Sequence, residues 1–92
     1  MIKTFAHKGL QKFYKTGSKA GINAKHADRL SRQLARLDLV AVPNDMNLPG
    51  WSLHPRGGDL SGQRAVKVRG NWRLTFKFDG TDVVIVDYQD HL

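Results

Sequence analysis

The sequence predicts an α+β fold in which two N-terminal helices pack on an antiparallel sheet. Two observations carry that expectation. Between Lys8 and Leu39 apolar residues recur at helical spacing, whereas beyond the breaker-rich segment Pro43 to Gly50 (PNDMNLPG) the period changes to two. A third observation concerns the faces of that sheet. Lys67, Arg69, Arg73 and Lys77 share one parity, and Val66, Val68, Trp72, Leu74, Phe76 and Phe78 share the other. Side chains alternate across a strand, so one face is apolar and the opposite face carries cations.

The elements follow in order. Met1 to Phe5 reads as a short edge strand. Lys8 to Lys15 places Leu10, Phe13 and Tyr14 at helical spacing, with Gly17 positioned to end the helix in the left-handed conformation. Asn23 is an N-cap candidate for a second helix, Ala24 to Leu39. Ala27, Leu30, Leu34 and Leu37 form its apolar stripe, and Lys25, Arg29, Arg32 and Arg36 line its other face. A helical hairpin of this kind must bury its stripe against another layer. Four strands supply one: Trp51 to His54, Ala65 to Arg69, Trp72 to Phe78 and Val83 to Tyr88. Parity brings Val66 and Val68 onto the face of Trp72 and Leu74 if Arg69-Gly70-Asn71 is a three-residue turn with Val68 opposite Trp72. Asp79-Gly80-Thr81 is a second hairpin signal, whose register the pattern leaves open. Trp51 and Trp72 are expected in the core. No repeat or second unit interrupts the chain, and residues 1–92 read as one domain.

The totals narrow the function. Ninety-two residues without cysteine exclude disulfides and thiolate chemistry. No apolar run approaches the roughly 20 residues that span a bilayer, and the opening MIKTFAHKG lacks a signal-peptide core. A soluble, cytoplasmic protein with no membrane partner is expected. Fifteen Lys and Arg against eight Asp and no Glu give a net charge of +7 and a pI near 10.2, which favours a polyanionic or acidic partner. Residues 1–37 hold nine of the cations against Asp28 alone, while residues 79–92 hold four Asp and neither Lys nor Arg. The basic half is a candidate docking surface, with Lys8, Lys12, Lys15, Arg29, Arg32 and Arg36 its exposed cations. A basic but merely solvated outer face has the same pattern.

The candidate chemistry centres on Leu53 to Phe76. The spacings of His7, His26, His54 and His91 match no zinc motif, so no metal or other cofactor is expected. His7 and His26 fall in helical contexts and read as surface residues. His54 ends an apolar run, precedes Pro55, and adjoins Arg56 and Gly57-Gly58, where backbone could approach a phosphate. An ordinary turn would look the same. Cleavage of RNA by its own 2′-hydroxyl needs a base, an acid and fixed positive charge at the phosphate. Histidine suits either proton transfer, and arginine suits the charge. His54, His91, Asp90 and Tyr88 are available for proton transfer, and Arg56, Arg69 and Arg73 for the phosphate, on a face that also carries Lys67 and Lys77.

The order of features adds a resemblance. A basic helical hairpin is followed by L-H-P, an S-G-Q turn, V-R-G-N-W-R-L-T-F, an apolar strand and a terminal D-Y-Q-D-H. Together with the opening M-I-K-T-F, this resembles the HigB (host-inhibition-of-growth) toxins of the RelE superfamily across essentially the whole chain. Val68 to Phe76 and Leu53-His54-Pro55 are its most specific blocks. The resemblance implies a microbial-ribonuclease-like fold whose twisted sheet holds the active site on its concave basic face. It implies a toxin that inhibits translation as a ribosome-dependent endoribonuclease. Such a toxin cuts mRNA in the A site against 16S rRNA, by metal-independent transesterification through a 2′,3′-cyclic phosphate. It also implies a HigA-type antitoxin, with operator DNA bound only through the toxin–antitoxin complex.

Carried over by position, His54 matches the family's strand-end histidine, Arg73 its sheet arginine and Asp90 the aspartate of a C-terminal D-Y-H. Here that ending reads Asp90-His91-Leu92, so His91 is the candidate imidazole one place early and Tyr88 the candidate aromatic for stacking on a base. Arg56 stands near a position where the family often carries lysine, which changes the geometry of a phosphate contact. Two other readings remain open at this level: a non-catalytic ribosome- or RNA-binding module on the same fold, and a DNA-binding protein reading through Ala24 to Leu39. The second lacks a partner turn and leaves the basic sheet unexplained.

Overall fold

A computed structural model describes residues 1–55 and 62–90. Helices α1 (Lys8–Thr16) and α2 (Ala27–Leu39) pack on an antiparallel sheet of β1 (His54–Pro55), β2 (Gln63–Arg69), β3 (Trp72–Asp79) and β4 (Asp82–Asp90). The strands lie in the order β1-β2-β3-β4, so each is hydrogen-bonded to its sequence neighbour.

Local chemistry sets the helix ends. His7 caps α1, its Nδ1 accepting from the Leu10 N–H at 2.9 Å, so it is a capping group rather than a plain surface residue. Gly17, at φ 79°, ends the helix as its spacing predicts, its N–H donating to the Phe13 carbonyl. Asn23 caps through the Lys25 N–H, but the turn it opens, Ala24–His26, is 3₁₀, and regular α2 starts at Ala27. The helical hairpin closes tightly. A Cβ on Gly9 would lie 2.5 Å from the Gly21 carbonyl oxygen, so backbone meets backbone there.

Leu10, Phe13, Leu30, Leu34 and Leu37 from the helices meet Val66, Val68, Leu74, Phe76, Val83 and Val86 from the sheet, with Met46 and Trp51 filling in from the connection. Trp51 is buried as expected, but Trp51 to His54 is not a strand. Ser52 takes φ 51°, which breaks the extended run; His54–Pro55 pairs with Ala65 and Arg64, and the Trp51 carbonyl accepts from the Lys67 N–H. Met1 to Phe5 is likewise no full strand. It makes isolated parallel bridges, Ile2 to Val83 and Phe5 to Val86, which occupy the outer edge of β4.

The register of the β2–β3 hairpin differs from the parity expectation because of a bulge. Arg69 pairs with Trp72 across a two-residue loop, Gly70-Asn71, rather than Val68 pairing with Trp72 across three. Gly70 takes φ 58°, the positive value that such a tight turn requires. The odd residue is absorbed inside β2, where the register shifts between Lys67 and Arg69. Val68 stays 2% exposed in consequence. The carbonyl of Lys67 at this shift accepts from Gln33 Nε2 at 2.8 Å and Arg29 Nε at 3.3 Å, so α2 stabilises the irregularity. A second shift lies opposite Thr75–Lys77, where Ile85 takes φ 51°. It reverses the alternation within β4, allowing Val83 to face the core with Val86 and Tyr88.

Candidate active site

The face of the sheet turned away from the helices is built by register. Lys67, Arg73 and Gln89 form one cross-strand row, Ala65, Thr75 and Asp87 a second with His54 at its β1 end, and Gln63, Lys77 and Val84 a third. Residues paired in a ladder point to the same side, so Lys67, Arg73, Lys77, His54 and Asp87 share this face. Its floor is small and closed: Ala65 is fully buried and Thr75 is 1% exposed, and neither belongs to the apolar core cluster. Among the described residues the buried Thr75 hydroxyl has no hydrogen-bond partner.

The Arg73 guanidinium folds over the β2–β3 turn. Its Nη1 donates to the carbonyls of Gly70 at 2.8 Å and Trp72 at 3.1 Å, which holds the group beside Lys67. His54 is exposed, with Nδ1 2.8 Å from the Ser52 carbonyl. A carbonyl only accepts, so Nδ1 carries the proton and Nε2 is left to take or give one. These placements join His54, Lys67, Arg73 and Lys77 on one surface, as the sequence pattern anticipates.

Other anticipated residues lie elsewhere. Tyr88 is only 4% exposed and sits on the helix side, so its expected role as a base-stacking platform is corrected. It stacks instead on Trp72, ring centroids 4.4 Å apart, and its hydroxyl is 2.5 Å from His26 Nδ1. Burial raises the pKa of this phenol, a backbone hydrogen bond at Asn23 opposes the rise, and the Asp90 carboxylate adds to it. His26, expected at the surface, is likewise corrected: it is 4% exposed, and burial and then Arg69 lower its pKa. Arg69 left the basic face when the bulge shifted its register, and it now pairs with Trp72 on the side of His26.

Asp90 is exposed and also pairs with Trp72, which puts it on the Tyr88 side at the end of β4 rather than beside Arg73. Arg56 and His91 lie outside the described residues. Lys8, Lys12, Lys15 and Arg32 are exposed on the helices. Arg29 is committed internally, donating to the Gly50 and Lys67 carbonyls, and Arg36 donates to the Asp45 carbonyl. Two residues of the basic face went unread in the sequence, Thr75 and Asp87. The signal for Asp87 was hidden by the bulge at Ile85. The signal for Thr75 was its membership of the Arg73–Lys77 parity.

A basic, histidine-edged sheet face is shared by many folds, and comparison with known proteins decides between them. The family model described as RelE-like toxin of type II toxin-antitoxin system HigB matches residues 3–91. The chain belongs to this family. Endoribonuclease HigB of Proteus vulgaris is 37% identical to this toxin over 91 residues, covering 99% of both chains. Among solved structures, YafQ from E. coli strain BL21(DE3) superimposes with a TM-score of 0.58 at 17% identity, covering 98% of this toxin and 91% of YafQ. A histidine-to-glutamine mutant of E. coli YafQ gives 0.55 at 18% identity with the same coverage. At those identities the likeness is one of fold, and it agrees with two helices on a four-stranded antiparallel sheet. Among the described residues no helix is long and apolar enough to cross a membrane.

Proposed function

We propose that this HigB-like toxin is a cytoplasmic endoribonuclease that cuts mRNA in the ribosomal A site and so stops translation. The family supplies the coarse reading, a type II toxin with an antitoxin partner. The observation that best supports the finer one is the shared face of His54, Lys67, Arg73 and Lys77, with Arg73 tied down over a turn. A guanidinium held in place before substrate arrives can stabilise a phosphorane without reorganising. Lysines on either side attract the RNA backbone without regard to sequence.

The chemistry needs no metal ion in this reading. A base removes the 2′-hydroxyl proton, the 2′-oxygen attacks the neighbouring phosphorus, and an acid protonates the departing 5′-oxygen. His54 supplies one of these groups through Nε2. The exposed cations of α1 and α2 serve docking to 16S rRNA or to a HigA-type antitoxin, and operator DNA is reached only through the antitoxin complex. Residues 1–92 act as one RelE-like toxin domain.

The test is cleavage of mRNA by purified toxin with and without ribosomes. EDTA insensitivity is checked separately on a minimal RNA, because ribosomes need magnesium. Cuts within codons that appear only with ribosomes are the expected result. Ribosome binding without any cut supports the non-catalytic module instead, a reading favoured by the Asp90-His91-Leu92 ending. In that case gain of cleavage on combining His91→Tyr with Leu92→His would identify a decayed enzyme.

A further inference from the structure

The ribonuclease reading needs a second proton-transfer group beside His54, and among the described residues Asp90, paired with Trp72, lies on the helix side of the sheet. We propose that Asp87 is the general base of this toxin, with His54 its general acid; this rests on the ribonuclease reading above. Four aspartates lie between Asp79 and the chain end. Asp79 and Asp82 pair with each other at the far hairpin, and Asp82 lies 4.0 Å from the N-terminal amine. Asp90 pairs with Trp72 beside buried Tyr88. Asp87 pairs with Thr75, and its neighbours along the ladder are Arg73–Gln89 on one side and Lys77–Val84 on the other. Among the described residues it is the carboxylate that stands between the two cations of β3.

The group is also oriented. One carboxylate oxygen, Oδ1, accepts from the Tyr88 N–H at 2.8 Å, and Oδ2 accepts from Gln89 Nε2 at 2.7 Å. A carboxylate oxygen has two lone pairs, so each keeps one for a ligand. Asp87 and His54 end the same row, three strand spacings apart, or about 14 Å at the backbone for strands spaced about 4.8 Å. The interval between them holds the Thr75 hydroxyl, buried without a partner among the described residues. An acid and a base on opposite sides of one phosphate, with Arg73 alongside, is the arrangement that in-line displacement requires.

The step balances without a co-reactant. The carboxylate of Asp87 takes the proton of the 2′-hydroxyl, and the 2′-oxygen forms its bond to phosphorus. The bond from phosphorus to the 5′-oxygen breaks, its electron pair leaves with that oxygen, and the Nε2 proton of a protonated His54 ring goes to it. The products are a 2′,3′-cyclic phosphate and a 5′-hydroxyl. Asp87 then loses its proton to solvent and His54 regains one.

The test uses full-length toxin on mRNA-programmed ribosomes under single-turnover conditions. Asp87→Asn is expected to slow cleavage about 100-fold, the lower end for losing a general base, without weakening ribosome binding. Asp90→Asn is expected to lose less, and Asp87→Glu to keep part of the activity. A substrate with sulfur in place of the scissile 5′-oxygen needs no acid, so it restores His54→Ala but not Asp87→Asn. Full activity of Asp87→Asn in folded protein overturns the assignment, as does its rescue by the sulfur substrate. A larger loss at Asp90 than at Asp87 does the same. If Asp87→Asn fails to fold, reduced cleavage by folded Asp87→Glu that the sulfur substrate does not restore supports the assignment, and its restoration by sulfur overturns it. A wild-type protein that cuts nothing fails the ribonuclease reading itself, which separates that failure from this one.

Discussion

The hydroxyl of Tyr88 on β4 lies 2.5 Å from Nδ1 of His26 at the entry to α2, both side chains at 4% exposure. These residues are 62 positions apart in sequence, and their contact ties the helical layer to the sheet. Trp72 completes the cluster, stacked on Tyr88 and edge-on to His26.

Tyr88→Phe therefore leaves the imidazole buried without its partner. The expected cost is about 1–3 kcal/mol of stability, the range for an unsatisfied buried polar group. A shift in the chemical-denaturation midpoint measures it. Cleavage corrected for folded fraction should change little, because the ring faces the core. A Tyr88 that stacked on RNA would instead lose substrate affinity with stability intact.

Stability should fall on acidification. Burial and Arg69 lower the pKa of His26 in the folded protein from its ordinary 6.5, so the unfolded chain takes up this proton first. The contribution is complete above about pH 6.5 and is lost as pH falls toward and through the folded-state value. Denaturation midpoints measured from pH 8 to pH 5 should be level at first and then decline. Arg69→Ala removes the second cause, so its profile should decline less steeply.

Arg73→Ala should lower cleavage by at least about 100-fold, the scale for removing one transition-state charge donor. Lysine in its place restores the charge but not the fork that holds the Gly70 and Trp72 carbonyls, so Arg73→Lys should recover only part. Single-turnover cleavage on programmed ribosomes is the measurement. A folded Arg73→Ala protein that binds ribosomes and cuts at the wild-type rate would remove Arg73 from the mechanism.

Thr75→Val is nearly isosteric and removes a hydroxyl that is buried and, among the described residues, unpartnered. Stability should rise by about 1 kcal/mol, at the low end of the cost of such a group. Thermal unfolding reports the change. Cleavage that falls while stability rises would mean that bound RNA is the missing partner, and Thr75→Ser should then restore it.

Much of the fold was readable in the sequence because it depends on local periodicity. The step of three and four from Ala27 to Leu37 produces α2 whatever lies beneath it, and Gly17 ends α1 through its own backbone freedom. The alternation along Lys67 to Lys77 likewise sufficed to put Arg73, Lys67 and Lys77 on one face. What the sequence by itself determined was thus the two layers, their order and the side on which most of the cations lie.

Only the tertiary structure decided where alternation is interrupted. A bulge costs one unpaired residue, and whether the chain accepts it depends on partners distant in sequence. The Lys67 carbonyl is satisfied by Gln33 and Arg29 from α2, and Val68 gains burial. That shift carried Arg69 to the other side of the sheet, and the one at Ile85 brought Asp87 to the row of Thr75. His26 and Tyr88 read as a surface histidine and a stacking aromatic because each is polar and locally unconstrained. Packing the helices on the sheet buried both, and their mutual hydrogen bond, with a backbone hydrogen bond at Asn23 to the phenol, made that burial tolerable. Local pattern sets which side a residue favours, but long-range packing sets the register, and one residue of register moves a side chain from the core to the site.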